Sequence, residues 1–179
     1  MEKVTIKDKT FAVSISAEEL NAAVQKVADR LNEDVRDKNP LFLCILNGAF
    51  MFASDLLKKV NTPCEISFVK LASYEGTSTT ENVKTLVGLS DNLKGRTVIV
   101  VEDIVDTGIT MEHIIAMLEE AEVAEIKIAT LFFKPESFRR SYKVDYIGMS
   151  IPNDFIVGYG LDYDGFGRNL PQIYSLVTE

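Results

Sequence analysis

Cysteine, histidine and basic charge are scarce in this chain of 179 residues, and each shortage excludes something. The two cysteines, Cys44 and Cys64, have no CxxC spacing and read as reduced thiols of a cytosolic protein. The only histidine, His113, has no G-x-S-x-G nucleophile elbow to accompany it, which leaves it a structural residue rather than part of a Ser-His-Asp triad. No G-x-G-x-x-G or Walker lysine motif occurs, which weakens NAD and ATP readings. Asp162-Tyr163-Asp164-Gly165 fails the calcium-loop spacing because Phe166 stands at the third ligand position. The longest apolar run, Leu41 to Leu46, is too short to span a bilayer, and the first residues lack the apolar core of a signal peptide. A cytoplasmic location without a membrane partner is the expectation. The formal charge of −8 argues against nonspecific binding to nucleic acid. It is concentrated: residues 101–125 hold no basic and eight acidic side chains, so it says little about the rest of the surface. No linker, repeat or low-complexity segment divides the chain, so residues 1–179 are expected to form a single domain.

What is present alternates. Ser16 and Glu19 make a capping box ahead of Leu20, Ala23, Val24, Val27, Ala28 and Leu31, so an amphipathic helix is expected over about 17–36. Leu41 to Leu46 reads as a buried strand that turns through Asn47-Gly48-Ala49 into a helix ending near Lys59. Strands follow at 65–71, 96–101, 125–133 and 144–149, with a polar stretch over 73–84 and a helix over about 110–121. Continuous apolar strands separated by helices imply an α/β fold, with a mostly parallel central sheet and helices on both faces. Ligands then bind beyond the carboxyl ends of the strands, in the loops after residues 46, 71, 101, 133 and 149.

The segment from Val98 to Met111 is the most informative. A strand ends in the acidic pair Glu102-Asp103, and Asp106-Thr107-Gly108-Ile109-Thr110 opens a helix. Gly108 lets backbone N–H groups converge, and the hydroxyls of Thr107 and Thr110 add donors at a helix N-terminus, a cradle for a phosphate monoester. The neighbouring carboxylates can accept hydrogen bonds from a ribose diol or hold Mg²⁺. Together these suit a ribose phosphate.

At this point the chain resembles the type I phosphoribosyltransferases, whose 5-phosphoribosyl-1-pyrophosphate (PRPP) motif has this form. Further segments make it similar to the hypoxanthine(-guanine) phosphoribosyltransferases over about residues 41–176. Leu46-Asn47-Gly48-Ala49 matches the family's pyrophosphate loop, where a non-proline cis peptide sometimes occurs. Ser73-Tyr74 resembles the start of the mobile lid loop, and Phe132-Phe133-Lys134-Pro135 the segment whose lysine contacts the purine 6-oxo group. The run from Phe155 to Tyr163, followed by Arg168-Asn169-Leu170, resembles the family's C-terminal hood, expected mainly from about 150–179 with part of the N-terminal segment.

The resemblance implies transfer of the phosphoribosyl group from PRPP to N9 of hypoxanthine, with guanine as the second base, giving IMP or GMP and pyrophosphate. Asp106 takes the general acid/base role, and Glu102, Asp103, Asp106, Thr107, Gly108, Ile109 and Thr110 hold the ribose phosphate. Leu46, Asn47, Gly48 and Arg168 receive pyrophosphate. Lys134, Phe155, Ile156 and Asp162 form the purine site, and Asp162, Glu102 and Asp103 are the candidates for Mg²⁺. Asn47 and Ile109 stand where some members have lysines, which bears on PRPP affinity. Family members are dimers or tetramers, so a homo-oligomer is expected. The alternative class is a regulatory module that keeps this fold and senses nucleotides or PRPP; an appended DNA-binding segment or basic RNA-binding face would favour it. A receiver-type signalling domain is a more remote alternative, since its acidic pair comes near the N-terminus.

Overall fold

In the computed structural model, residues 2–73, 83–87 and 92–177 are described. Chain order gives strands β1 (Lys3–Ile6) and β2 (Lys9–Ile15), helix α1 (Ala17–Asp34), β3 (Leu41–Leu46), α2 (Phe50–Leu57), β4 (Glu65–Ser73) and β5 (Val83–Val87). Then come β6 (Thr97–Val105), α3 (Ile109–Glu120), β7 (Glu125–Phe133), β8 (Tyr146–Ser150), β9 (Ile156–Val157) and β10 (Ile173–Leu176).

The capping box forms as expected: Ser16 Oγ accepts from Glu19 N–H at 3.2 Å, and Glu19 Oε2 accepts from Ser16 N–H at 2.8 Å. The helix stops at Asp34, two residues early, because Asp37 and Asn39 take left-handed φ values of 63° and 45° ahead of Pro40. In β3, Leu41, Leu43 and Ile45 bury against one layer while Phe42 and Cys44 bury against the other. β6 divides the same way, with Val98 and Val100 on one face and Ile99 and Val101 on the opposite face. This alternation explains the unbroken apolar runs, since both faces are covered. α1 and α2 cover one face, and Met111, Ile114 and Leu118 of α3 cover the other.

The larger sheet has strand order β5-β4-β3-β6-β7-β8, in which β4, β3, β6, β7 and β8 are parallel and β5 runs antiparallel to β4. From β3 the chain steps one way to β4; from β6 it steps the other way to β7. Right-handed crossovers stepping in opposite directions put their helices on opposite faces, and the reversal opens a crevice beyond β3 and β6. A smaller antiparallel sheet, ordered β1-β2-β10-β9, joins the two ends of the chain around Ile6, Phe11, Val157 and Tyr174.

Two expectations need correction. β6 does not end at Val101; it stays paired with β7 as far as Val105, opposite Phe133, so Glu102 and Asp103 are strand residues, not loop residues. The polar stretch over 73–84 conceals the start of β5. Ser73 closes β4, while Tyr74, the other lid candidate, lies outside the described residues.

Candidate active site

The crevice is a cleft of about 300 Å³ lined by Leu46 and Gly48 from the end of β3, Glu102 and Asp103 from β6, and Asp106 to Thr110 from the turn into α3. Gly108, at φ 87°, is the N-cap of α3, and its carbonyl accepts from Glu112 N–H at 3.1 Å. A left-handed cap of this kind suits glycine and turns the chain so that the first-turn amides of α3 face the cleft unpartnered by the helix. Thr107 and Thr110 are exposed beside them. A positive helix end with free amides and hydroxyls is an anion site.

The acidic pair is buried at the floor of the cleft. Glu102 Oε1 accepts from Asp103 N–H at 3.0 Å, and Asp103 Oδ1 accepts from Ile104 N–H at 2.6 Å. Burial, then the charge of Asp103, pushes the Glu102 carboxyl well above the usual carboxylate range. Burial also raises Asp103, an effect partly offset by Glu102, by the Ile104 amide and by the positive charge of Arg168. The Arg168 charge offsets only part of the burial of the two carboxylates. Diol hydroxyls would supply hydrogen-bond donors, and a cation would supply further positive charge.

Above this floor the end of β3 meets the β9–β10 connection. The Leu46–Asn47 peptide is cis. A Cβ on Gly48 would overlap Asp103 Oδ2, and a Cβ on Gly160 would overlap the Gly48 carbonyl oxygen. Gly48 is therefore held between β6 and the connection, and only glycine fits at both places. Arg168 Nη1 donates to Gly160 O at 2.8 Å, and Nη2 pairs with Asp162 Oδ1 at 2.8 Å. Asp162 Oδ2 also accepts from Gly165 N–H at 2.6 Å. Asn47 is exposed beside Gly48 and does not line the cleft.

At the other end, Lys134 N–H donates to Val105 O at 3.0 Å, which ties the end of β7 to the end of β6. Its Nζ, nearly buried, then lies 3.4 Å from Asp106 Oδ2 and 3.2 Å from Asp154 O. Phe155 follows Asp154, is 46% exposed, and is flanked by Tyr163 at 5.8 Å and Phe11 at 6.1 Å between ring centroids. Ile156 begins β9 opposite Ser175. The arrangement offers an anion cradle, a buried acidic pair, and a lysine and a carboxylate near a half-exposed aromatic ring that has the Lys9 ammonium 5.7 Å from its centroid.

A model of the phosphoribosyl transferase domain matches residues 16–164. The chain belongs to the phosphoribosyltransferase family. It is 42% identical over 156 residues to the hypoxanthine-guanine phosphoribosyltransferase of Streptococcus pyogenes serotype M3, covering 87% of each chain. To the enzyme of that name from Streptococcus pneumoniae it is 40% identical over 168 residues, 93% of each. Among solved structures, a hypoxanthine phosphoribosyltransferase from Staphylococcus aureus superposes with a TM-score of 0.87 at 34% identity, covering 93% of this chain and 91% of that one.

This phosphoribosyltransferase also relies on contacts that the sequence did not mark. Tyr142 Oη donates to Gly108 O at 2.9 Å, and Phe138 stacks edge-on against the Tyr142 ring at 5.2 Å, so the 138–142 loop braces the cradle. Burial, then the nearby Glu112, raises the Tyr142 hydroxyl to about 12, which keeps it a donor. Gly160 and Tyr159 lock the connection to the β3 end, 112 residues from Gly48 in sequence. No local pattern signals either contact. His113 Nδ1 lies 3.0 Å from Ile109 O, one turn back on α3, in keeping with a structural residue. No helix among the described residues is long and apolar enough to cross a membrane.

Enzymes of the family generally use Mg²⁺ with PRPP. Among the described residues no group of three or more His, Cys, Asp or Glu side chains gathers as a metal cage. The under-neutralised Glu102–Asp103 pair suits an ion that takes one or two carboxylates and completes its shell with water and phosphate, which is the habit of Mg²⁺.

Proposed function

We propose that this phosphoribosyltransferase is a purine salvage enzyme: it transfers the 5-phosphoribosyl group from PRPP to N9 of hypoxanthine, and of guanine, releasing IMP or GMP and pyrophosphate. The observation that carries this reading is the joining of Lys134 to Asp106 and to the carbonyl of Asp154, next to the half-exposed ring of Phe155, at the rim of a cleft with a phosphate cradle. The names of its relatives support the same substrates.

In this reading the 5′-phosphate sits on the amides of Gly108, Ile109 and Thr110 with the hydroxyls of Thr107 and Thr110. Glu102 and Asp103 accept from the ribose hydroxyls, which gives the buried carboxylates the donors they lack. The amides of the Leu46–Gly48 loop and Arg168 receive pyrophosphate, and a guanidinium suits bidentate phosphate binding. The purine stacks on Phe155. Lys134 donates to O6 and so disfavours adenine, whose 6-amino group is itself a donor. The small sheet of both chain ends acts as the hood, and Ile156 and Asp162 offer backbone groups to the 2-position. The C1′–O bond to pyrophosphate breaks as N9 bonds to C1′, and Asp106, 3.4 Å from Lys134, takes or shares the purine N7 proton.

Mg²⁺, when bound, would supply Lewis-acid stabilisation of the departing pyrophosphate. Glu102 and Asp103 in the cleft would hold it, together with Asp162, whose carboxylate oxygens pair with Arg168 and accept from Gly165 N–H yet keep free lone pairs. Ser73, at the end of β4, and Tyr74, outside the described residues, are the candidates for excluding water from the oxocarbenium-like transition state. A cytoplasmic homo-oligomer, dimer or tetramer, completes the reading, and the unpaired thiols Cys44 and Cys64 fit a reducing compartment. Turnover with PRPP and Mg²⁺ of hypoxanthine, guanine, xanthine and adenine in parallel tests it. The reading expects product from hypoxanthine and guanine and none from adenine; binding of PRPP with no product from any base would favour a sensor instead.

A further inference from the structure

Gly158, Tyr159 and Gly160 all lie at positive φ, at 102°, 47° and 102°. Glycine adopts such angles freely, but a tyrosine held there is uncommon and persists where its surroundings over-determine it. The surroundings are specific. The Tyr159 ring is buried among α1 and α2 side chains such as Leu20, Phe52 and Leu56, and its hydroxyl donates to Asp55 Oδ2 of α2 at 2.5 Å. Burial, then the bond to Asp55, raises the tyrosine hydroxyl, so it stays a donor. Burial alone would raise Asp55, but the Lys58 ammonium and the Tyr159 hydroxyl outweigh it and hold the carboxyl below its ordinary value. The bond is charge-assisted, from a neutral phenol to a carboxylate.

Its place in the chain gives it a purpose. α2 begins at Phe50, directly after the Leu46–Ala49 loop, so Asp55 is rigidly connected to that loop. On the other side Tyr159 precedes Gly160, where a Cβ would overlap the Gly48 carbonyl oxygen and whose own carbonyl accepts from Arg168 at 2.8 Å. The path from Gly48 through α2 to Asp55, across to Tyr159, and through Gly160 back to Gly48 is closed. We infer that the Tyr159–Asp55 pair is a positioning device for pyrophosphate: it keeps Arg168 in register with the amides of the 46–48 loop without touching the ligand. This rests on the pyrophosphate site of the proposed function.

Tyr159→Phe tests it, because it keeps the buried ring and removes only the donor. Calorimetry with Mg²⁺-pyrophosphate and, separately, with IMP reads the two halves of the site. The expected result is roughly a tenfold weaker pyrophosphate affinity, the scale of one lost charge-assisted bond, with IMP affinity within about twofold of wild type. The KM for PRPP should rise in step. Asp55→Asn keeps an acceptor and should restore most of the affinity that Asp55→Ala loses, and Tyr159→Phe/Asp55→Ala should be no worse than either single variant. Parallel loss of both ligands, or a lowered Tm with both affinities unchanged, would reduce the pair to a structural hydrogen bond and overturn the inference. The wild type decides the functional reading separately. If it binds Mg²⁺-pyrophosphate but turns over no purine, the base assignment fails while the positioning test stands; if it does not bind Mg²⁺-pyrophosphate, both fail.

Discussion

Adding one methyl group at Gly48 should damage this site. The Cβ of Gly48→Ala would overlap Asp103 Oδ2 and sit 2.6 Å from its Cγ, where ordinary contact begins near 3.4 Å, so something must move by about 0.8 Å or more. Neither side yields easily. Asp103 is buried and fixed through its Oδ1 to Ile104 N–H at 2.6 Å, within a strand paired to β7. The 46–49 loop is backed by Gly160 and tied by Ala49 N–H to Ile45 O at 3.2 Å. Forcing a methyl into such a place costs about 1–3 kcal/mol, which for a chain of this length lowers Tm by roughly 2–12 °C. Catalysis should suffer more, since displacing reacting groups by about 1 Å costs on the order of 100-fold. Gly95→Ala is the control: Gly95 has a positive φ of 72°, which Gly48 does not, but a Cβ there meets nothing within 4 Å. It should lose about 1 kcal/mol of backbone energy and no activity. Thermal unfolding and kcat/KM on the two variants decide the matter. Wild-type activity in Gly48→Ala, or equal activity losses in both variants, would refute the contact between Gly48 and Asp103 as the reason for the glycine.

Three further outcomes are expected. Asp106→Asn should lower kcat by roughly 10²–10⁴ while PRPP affinity, measured by calorimetry, changes little, because the proton acceptor is lost and the cradle kept; equal losses in both would remove the acid/base role. Lys134→Gln should narrow the preference for hypoxanthine over adenine in competition assays, and an unchanged preference would sink its assignment to O6. Glu102→Gln should raise the Tm of the ligand-free protein at pH 8 and do so less at pH 5. The sign follows from the raised carboxyls: the native state holds protons more tightly than the unfolded chain, so wild-type stability falls as pH climbs from about 4.3 toward the raised values. Removing the Glu102 carboxyl lessens that fall, and a Tm difference independent of pH would contradict the raised Glu102 carboxyl.

The large sheet was legible because its strands are buried on both faces: Leu41 to Leu46 and Val98 to Val101 carry no polar interruption, and the capping box at Ser16 marks its helix without tertiary help. The cradle was legible for a related reason, since Asp106 to Thr110 are consecutive and their chemistry is local. The continuation of β6 through Glu102 and Asp103 was not, because two acidic residues look like a strand end unless the pairing with Thr130 and Phe132 of β7 is known. The resemblance placed a hood at the two chain ends, but its four strands could not be read singly, because they are short and come from opposite ends of the chain. Contacts that join distant positions, Gly48 to Gly160, Tyr159 to Asp55 and Tyr142 to Gly108, leave no periodic trace. Burial of the acidic pair, and with it the raised carboxyls, likewise becomes visible only when the sheet and the β9–β10 connection close around it.

The central claim is that the cleft between β3 and β6 joins a 6-oxopurine to the ribose phosphate of PRPP. The most direct measurement follows hypoxanthine, PRPP and Mg²⁺ with the purified protein and quantifies IMP and pyrophosphate by chromatography. Equimolar IMP and pyrophosphate are expected, dependent on PRPP and lost when Asp106 is replaced by Asn. Pyrophosphate without IMP, or neither product under conditions where PRPP binds, would contradict it.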